Sequence, residues 1–258
     1  MNAGVLTAPW DCIVIGTGIG GGTAGRALAE AGLRVLFIEK GRAGHRTEET
    51  PLDNTITDPF ARSVRGFWPD TVTARLEGKQ QKFHAALGSG IGGRSVFYAA
   101  TLERPEPHDL DNSSERPHPT GGWPVSYGQM RPWFDEAERL YAIHGEPDPL
   151  SDIDCPNLSV PPDPSRGDKV IMERLRANGL HPYRLHAAVR YLEGCAECFG
   201  RKCPRPCKMD GRSAGVEPAL ATGRAAVLEN AEVTRLLGSS GQIEEVELIL
   251  GGGLQRIR

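Results

Sequence analysis

No apolar run in this chain reaches the ~18 residues needed to cross a membrane. The ten residues ahead of the first strand-like segment carry neither the basic start nor the apolar core of a signal peptide. Those two absences make a cytoplasmic protein the default expectation. Charge of one sign is also missing: 30 Lys and Arg against 33 Asp and Glu leave a net charge of -3, so there is no global attraction to nucleic acid or to an anionic membrane. Cysteine is scarce at six in 258 residues, too few for a disulfide scaffold. What is not lacking is core material. With 39% hydrophobic residues the chain can bury one large or two modest domains, which excludes disorder.

The most informative stretch is Asp11 to Gly41, which reads as a strand, a glycine turn, a helix and a second strand. Cys12, Ile13, Val14 and Ile15 form an unbroken apolar run, as expected of a parallel strand buried on both faces. Gly16, Gly18 and Gly21 follow as G-x-G-x-x-G. The first glycine allows a tight turn, the second lets backbone approach a pyrophosphate, and the third allows close helix-strand packing. Ala24, Leu28 and Ala31 mark an inward helical face, Gly32 ends the helix, and Val35 to Ile38 make the second strand. Glu39 lies 18 residues beyond Gly21, where its carboxylate is placed to accept hydrogen bonds from both ribose hydroxyls of an adenosine. The motif therefore predicts a dinucleotide site, through the half positive charge and free N–H groups of a helix N-terminus. Taken alone it does not separate FAD from NAD.

Arg42 to Lys79 is polar, contains Pro51, Pro59 and Pro69, and reads as loop with short helical pieces. A second glycine loop follows, Gly88, Gly90, Gly92 and Gly93, ahead of Val96, Phe97 and Tyr98; its apolar flanks predict buried backbone with something pressed against it. Glu106 to Gly122 is a proline- and glycine-rich boundary. Ser126 with Gln129 forms a capping box for a helix with Pro132 in its first turn and an inward face of Trp133, Phe134, Ala137, Leu140 and Tyr141. Val170, Ile171 and Leu175 mark a second, shorter amphipathic helix stopped by Gly179. Four strands are expected at the end: Ala225 to Leu228, Val233 to Leu237, Ile243 to Leu250 and Leu254 to Ile257. This organisation divides the chain into 1–110, an insertion at 111–210, and a return to the first domain at 211–258.

Four of the six cysteines, Cys195, Cys198, Cys203 and Cys207, fall within thirteen positions. Such a run suits a zinc or iron-sulfur site, but its spacing matches neither zinc ribbons nor the common ferredoxins, and structural thiols or disulfides stay open. Tyr183 to Arg212 holds seven Lys or Arg against three Asp or Glu. A zinc-ribbon module contacting nucleic acid is therefore a rival reading, disfavoured because Phe199 alone among stacking aromatics accompanies the basic residues.

With these pieces in place the sequence resembles the glucose-methanol-choline (GMC) oxidoreductases, flavoenzymes that oxidise alcohol groups. The resemblance rests on the opening fingerprint ending in Glu39, on Gly90 to Tyr98 (GIGGRSVFY), on Trp123 to Tyr141, which begins WPVSY, and on Ala231 to Leu237 (AEVTRLL). It spans the family's N-terminal portion. It implies an α/β, two-dinucleotide-binding, Rossmann-like FAD domain with an antiparallel β-meander, C-terminally incomplete, with an NAD-binding Rossmann protein as the alternative. Gly16, Gly18, Gly21 and Glu39 would then hold FAD, with Gly92, Gly93 and Ser95 beside it and Val233 against the adenine. Some members carry a cysteine run here with an electron-transfer cluster, which implies an electron-acceptor protein partner besides the small-molecule alcohol. The family's catalytic base is a histidine near its C-terminus, and none of the seven histidines here lies in a corresponding motif. The expectation is a chain not active alone, with an unpaired strand edge and poor solubility.

Overall fold

The computed structural model describes residues 3–47, 50–51 and 55–258. They form two compact units, one of residues 1–99 with 198–258, the other of residues 100–197. The inserted unit thus begins and ends earlier than the 111–210 expected.

In the first unit, Cys12–Ile15, Val35–Ile38 and Ala225–Leu228 make a parallel sheet with Val35–Ile38 in the middle. The central strand alternates between two cores, as a period of two requires. Leu36 and Ile38 pack with Leu228, Ala231, Val246, Leu248 and Ile257, whereas Val35 and Phe37 pack with Ala29, Val216 and Ala219. The antiparallel strands Ala231–Ser239, Gln242–Leu250 and Gly253–Ile257 supply the first of these cores. The helix Ile19–Glu30 supplies part of the second. Both flanking layers serve to hold the glycine turn at the end of the sheet.

Two sequence expectations need correction. The opening strand is not buried on both faces: it lies at the sheet edge, no described strand pairs with its outer side, and Ile15 is 51% exposed. The inward face of the helix is Gly22, Gly25 and Ala29, with Leu28 partly buried, while Ala24 and Ala31 are exposed. A hydrophobicity pattern overlooks this face because two of its members are glycines. A Cβ on Gly25 would stand 2.2 Å from the Phe37 ring, so backbone itself is the packing surface.

The polar stretch after Gly41 holds the expected short helix and, beyond it, a hairpin. Pro59–Arg65 is a helix capped by Asp58, and Val72–Leu76 pairs with Lys79–Phe83 as a hairpin. Its two-residue turn, Glu77 and Gly78, has φ +50° and +79°, the geometry whose twist suits a tight hairpin. The exposed, charged strands had hidden it.

The second unit contains the helices Tyr127–Leu140 and Arg166–Ala177, and a short pairing of Ile143–His144 with Ala187–Ala188. The Ser126–Gln129 capping box is present, but Pro132 lies inside the helix beyond the first turn. Trp133 is 67% exposed, and Glu138 is buried on the inward side instead. The reason is an ion pair: Arg104 donates to Glu138 Oε1 and to Asp135 Oδ1, each at 2.6 Å. Arg166–Ala177 keeps its capping residue Ser165 yet buries no residue. No described helix is long and apolar enough to cross a membrane.

Candidate dinucleotide site and buried cysteine loop

The turn after the opening strand has the form its glycines predict. Gly16 has φ +88°, in the left-handed region where glycine carries no penalty. A Cβ on Gly21 would meet the Gly16 carbonyl oxygen at 2.1 Å, which ties the helix start to the strand end. Gly18 is the helix N-cap, no side chain caps it, and no acidic residue lies in the first turn. Added Cβ atoms at Gly16 and Gly18 would meet nothing within 4 Å. An uncapped, electropositive helix end beside open space fits a pyrophosphate.

The second glycine loop comes to the same place. Gly93 has φ +54°, and a Cβ on it would lie 3.1 Å from Gly18 Cα. Ser95 Oγ donates to the Gly92 carbonyl at 2.6 Å and accepts from Gly211 N at 2.9 Å. That second bond introduces a third segment, which sequence reading missed. Gly211–Val216 is a π-helical turn capped by Asp210, whose Oδ1 accepts from Arg212 N and Ser213 N. Burial pushes the Asp210 carboxyl up, against the pull of Ser213, Lys208 and Arg46. Cβ atoms on Gly211 and Gly215 would stand 2.7 Å and 2.4 Å from the Gly18 and Gly22 carbonyl carbons. The available signal was the four-residue spacing of these two glycines, which puts both on one side of the turn.

Glu39 joins the pieces. Its Oε2 accepts from Thr17 N at 3.0 Å and Thr17 Oγ1 at 2.6 Å, and its Oε1 accepts from Gly41 N at 2.9 Å and Gly90 N at 3.3 Å. Thr17, fully buried, also accepts from Gly92 N at 3.2 Å. The structure thus brings together Gly16, Gly18, Gly21, Glu39, Gly92, Gly93 and Ser95. Thr17, the unspecified residue of the fingerprint, was not legible. Val233 is half-buried on the neighbouring strand, packed against the core that holds Leu36 and Ile38.

The cysteine run divides. Cys198, Cys203 and Cys207 are buried in the first unit, and Cys195 belongs to the second. Among the described residues no group of three His, Cys, Asp or Glu is placed to hold a metal ion, so zinc or an iron-sulfur cluster at Cys195, Cys198, Cys203 and Cys207 is not shown. Lys208 occupies the centre of the loop instead. Its Nζ donates to the carbonyls of Tyr98 and Cys198 at 3.1 Å and to that of Arg201. Burial pushes the Lys208 ammonium down to about 8, while Asp210, Cys203 and Cys198 act to raise it. Burial also opposes ionisation of Cys203, but the backbone N–H groups of Lys208, Arg205 and Cys207 and the Cys198 thiol outweigh it. The net direction for Cys203 is down.

No protein-family model matches the chain. Paromamine 6'-oxidase of Streptomyces fradiae is 33% identical over 141 residues, 53% of this chain and 24% of that protein. An uncharacterised GMC-type oxidoreductase of Mycobacterium tuberculosis is 26% identical over 239 residues, 90% of this chain and 33% of the relative. An FAD-dependent oxidoreductase from Chaetomium thermophilum, a solved structure, is similar in fold with a TM-score of 0.59 at 18% identity, over 96% of this chain and 44% of that one. The chain therefore spans less than half the length of each. The glycine fingerprint, the second glycine loop and these likenesses agree: the chain is similar in sequence and in fold to part of GMC-type and other FAD-dependent oxidoreductases.

Proposed function

We propose that this chain is the FAD-binding portion of a GMC-type flavoprotein oxidoreductase acting on CH–OH donors, with a Rossmann-like two-dinucleotide-binding fold. The observation that carries the reading is the meeting of three glycine segments, 16–22, 90–95 and 211–215, around an uncapped helix N-terminus. Gly16, Gly18 and Gly21 would take the pyrophosphate, Glu39 the ribose, and Val233 the adenine. Gly92, Gly93 and Ser95 would line the path beyond the pyrophosphate, a second backbone surface that a long cofactor needs and a simple NAD fold does not. Bound FAD would supply the hydride acceptor. The chain's own part is to hold that cofactor, and the oxidation needs a base for the hydroxyl proton that none of the seven histidines here is assigned. Alcohol oxidation is accordingly proposed for the longer protein, with an electron-acceptor protein as a further partner and the cytoplasm as its place.

The test is reconstitution of the purified chain with FAD. The expected result is a yellow, stoichiometric complex whose flavin no member of an alcohol panel reduces, with Gly18→Val weakening binding at least about tenfold by crowding the helix end. Preference for NAD over FAD in the same titration would overturn the assignment. Turnover of an alcohol would overturn the second half of it.

A further inference from the structure

We propose that Arg46 and Arg212 are the anchors of a binding site for one small monovalent anion, of the size and charge of chloride. The site is a cavity of about 20 Å³ inside the first unit. Among the described residues its wall carries four cationic side chains, Arg42, Arg46, Lys202 and Arg212, and one carboxylate, Asp210. Such a wall is no sample of the chain's average, whose net charge is -3.

The two anchors are held together. Arg46 Nη1 and Arg212 Nε stand 3.2 Å and 2.8 Å from the same oxygen, Glu217 Oε1, with only 19% and 17% of their side chains exposed. Arg46 Nη2 also donates to Ser213 Oγ at 2.9 Å, and Arg212 Nη1 to the Ala43 carbonyl at 3.1 Å. A guanidinium carries five N–H donors, so each anchor keeps donors for a further acceptor. Glu217 balances one of the two charges. Asp210 is turned to backbone, its Oδ1 accepting from Arg212 N at 3.0 Å and Ser213 N at 2.8 Å. Arg42 sets its guanidinium over the Phe60 ring, 5.6 Å from the centroid, a contact that brings no countercharge. Positive charge gathered away from bulk water is costly, and an anion in the cavity removes that cost.

Volume and charge select the ligand. The space takes about one sphere of water size, which admits a halide and excludes sulfate or phosphate. None of the residues assigned to FAD lines the cavity, so the site does not rest on that assignment. The anion ties the loop after the second strand to the π-helical turn Gly211–Val216, whose glycines pack on Gly18 and Gly22. Occupancy therefore stiffens the junction of the glycine segments.

The test is the chloride NMR linewidth of solutions of the 258-residue protein, with sodium methanesulfonate keeping ionic strength constant. The protein should broaden the line, bromide should reverse the broadening, and sulfate should not. Arg46→Gln should weaken chloride binding at least about tenfold, the share of one charge-assisted hydrogen bond. If that variant does not fold, the contest between bromide and sulfate on the wild type carries the test. Chloride should also raise the melting temperature saturably, by at least about 2 °C. Saturating FAD should leave the broadening unchanged, and a chain that bound no FAD would leave the chloride result standing. Broadening equal in a folded Arg46→Gln, sulfate as effective as bromide, or loss of broadening on adding FAD would each overturn the proposal; the last would give these cations to the cofactor.

Discussion

The two compact units are held together by different chemistry. In the unit of residues 1–99 and 198–258 the critical contacts are made by backbone: Gly21 on Gly16, Gly25 on Phe37, Gly93 and Gly211 on Gly18, Gly215 on Gly22. In the unit of residues 100–197 the centre is a buried charge, Arg104, shared between Glu138 and Asp135. The first is intolerant of volume and the second of unbalanced charge. A glycine junction keeps a binding surface narrow and close to backbone donors, whereas an ion pair fixes two elements of a chain segment that has little apolar core of its own.

The sharpest way to break this contrast is Arg104→Met. Glu138, 2% exposed, would be left as a buried carboxylate without its cation, and the loss should be about 3–5 kcal/mol in urea unfolding. A loss below about 1 kcal/mol, the value of an exposed pair, would mean that the charge pair does not organise its unit. Gly215→Ala probes the other unit. Its Cβ, 2.4 Å from backbone that cannot rotate away, should cost about 1–3 kcal/mol and weaken FAD binding. The same substitution at Gly241, where nothing lies within 4 Å, should leave FAD binding unchanged, which separates crowding from a general loss of glycine.

The smallest effect is set by pH. Burial, ahead of neighbouring carboxylates, pushes the Tyr183 and Tyr191 phenols up to about 12, and it pushes Cys155 up to about 11. A group whose proton is held more tightly in the folded state stabilises that state below its ordinary pKa and stops doing so as pH rises through the folded value. Residues 100–197 should therefore lose stability between about pH 9 and 12, with tyrosinate absorbance appearing together with unfolding rather than ahead of it. Tyrosinate formed at pH 10 with amide protection unchanged would contradict this.

The opening strand, turn, helix and second strand were legible because each rests on local chemistry: an apolar run, glycines at fixed spacing, and an acidic residue at the next strand end. Their seats in the fold were not. Cys12–Ile15 and Val35–Ile38 are both apolar tetrapeptides, yet one is a half-open edge and the other is 0–1% exposed, a difference decided by the distant strand Ala225–Leu228. Glu138 was unreadable as a core residue because its partner lies 34 positions away. At the site, positive-φ glycines announced two of the three segments, but Asp210 and the π-helical turn depend on packing between residues some 190 apart, which no local pattern carries. The cysteine spacing also gave no sign that Lys208 would seat its ammonium on the Tyr98, Cys198 and Arg201 carbonyls.

The four donors on Glu39 carry a consequence for the order of events. Two carboxylate oxygens offer about four lone-pair sites, and Thr17, Gly41 and Gly90 fill them. A nucleotide ribose held by Glu39 as proposed would have to displace one of those bonds. Were the opened form a minor state, affinity would be reduced by its small population and the loading rate would level off at the opening rate as nucleotide concentration rises. On the proposed reading of Glu39, the carboxylate that recognises the ligand is also the latch that delays it.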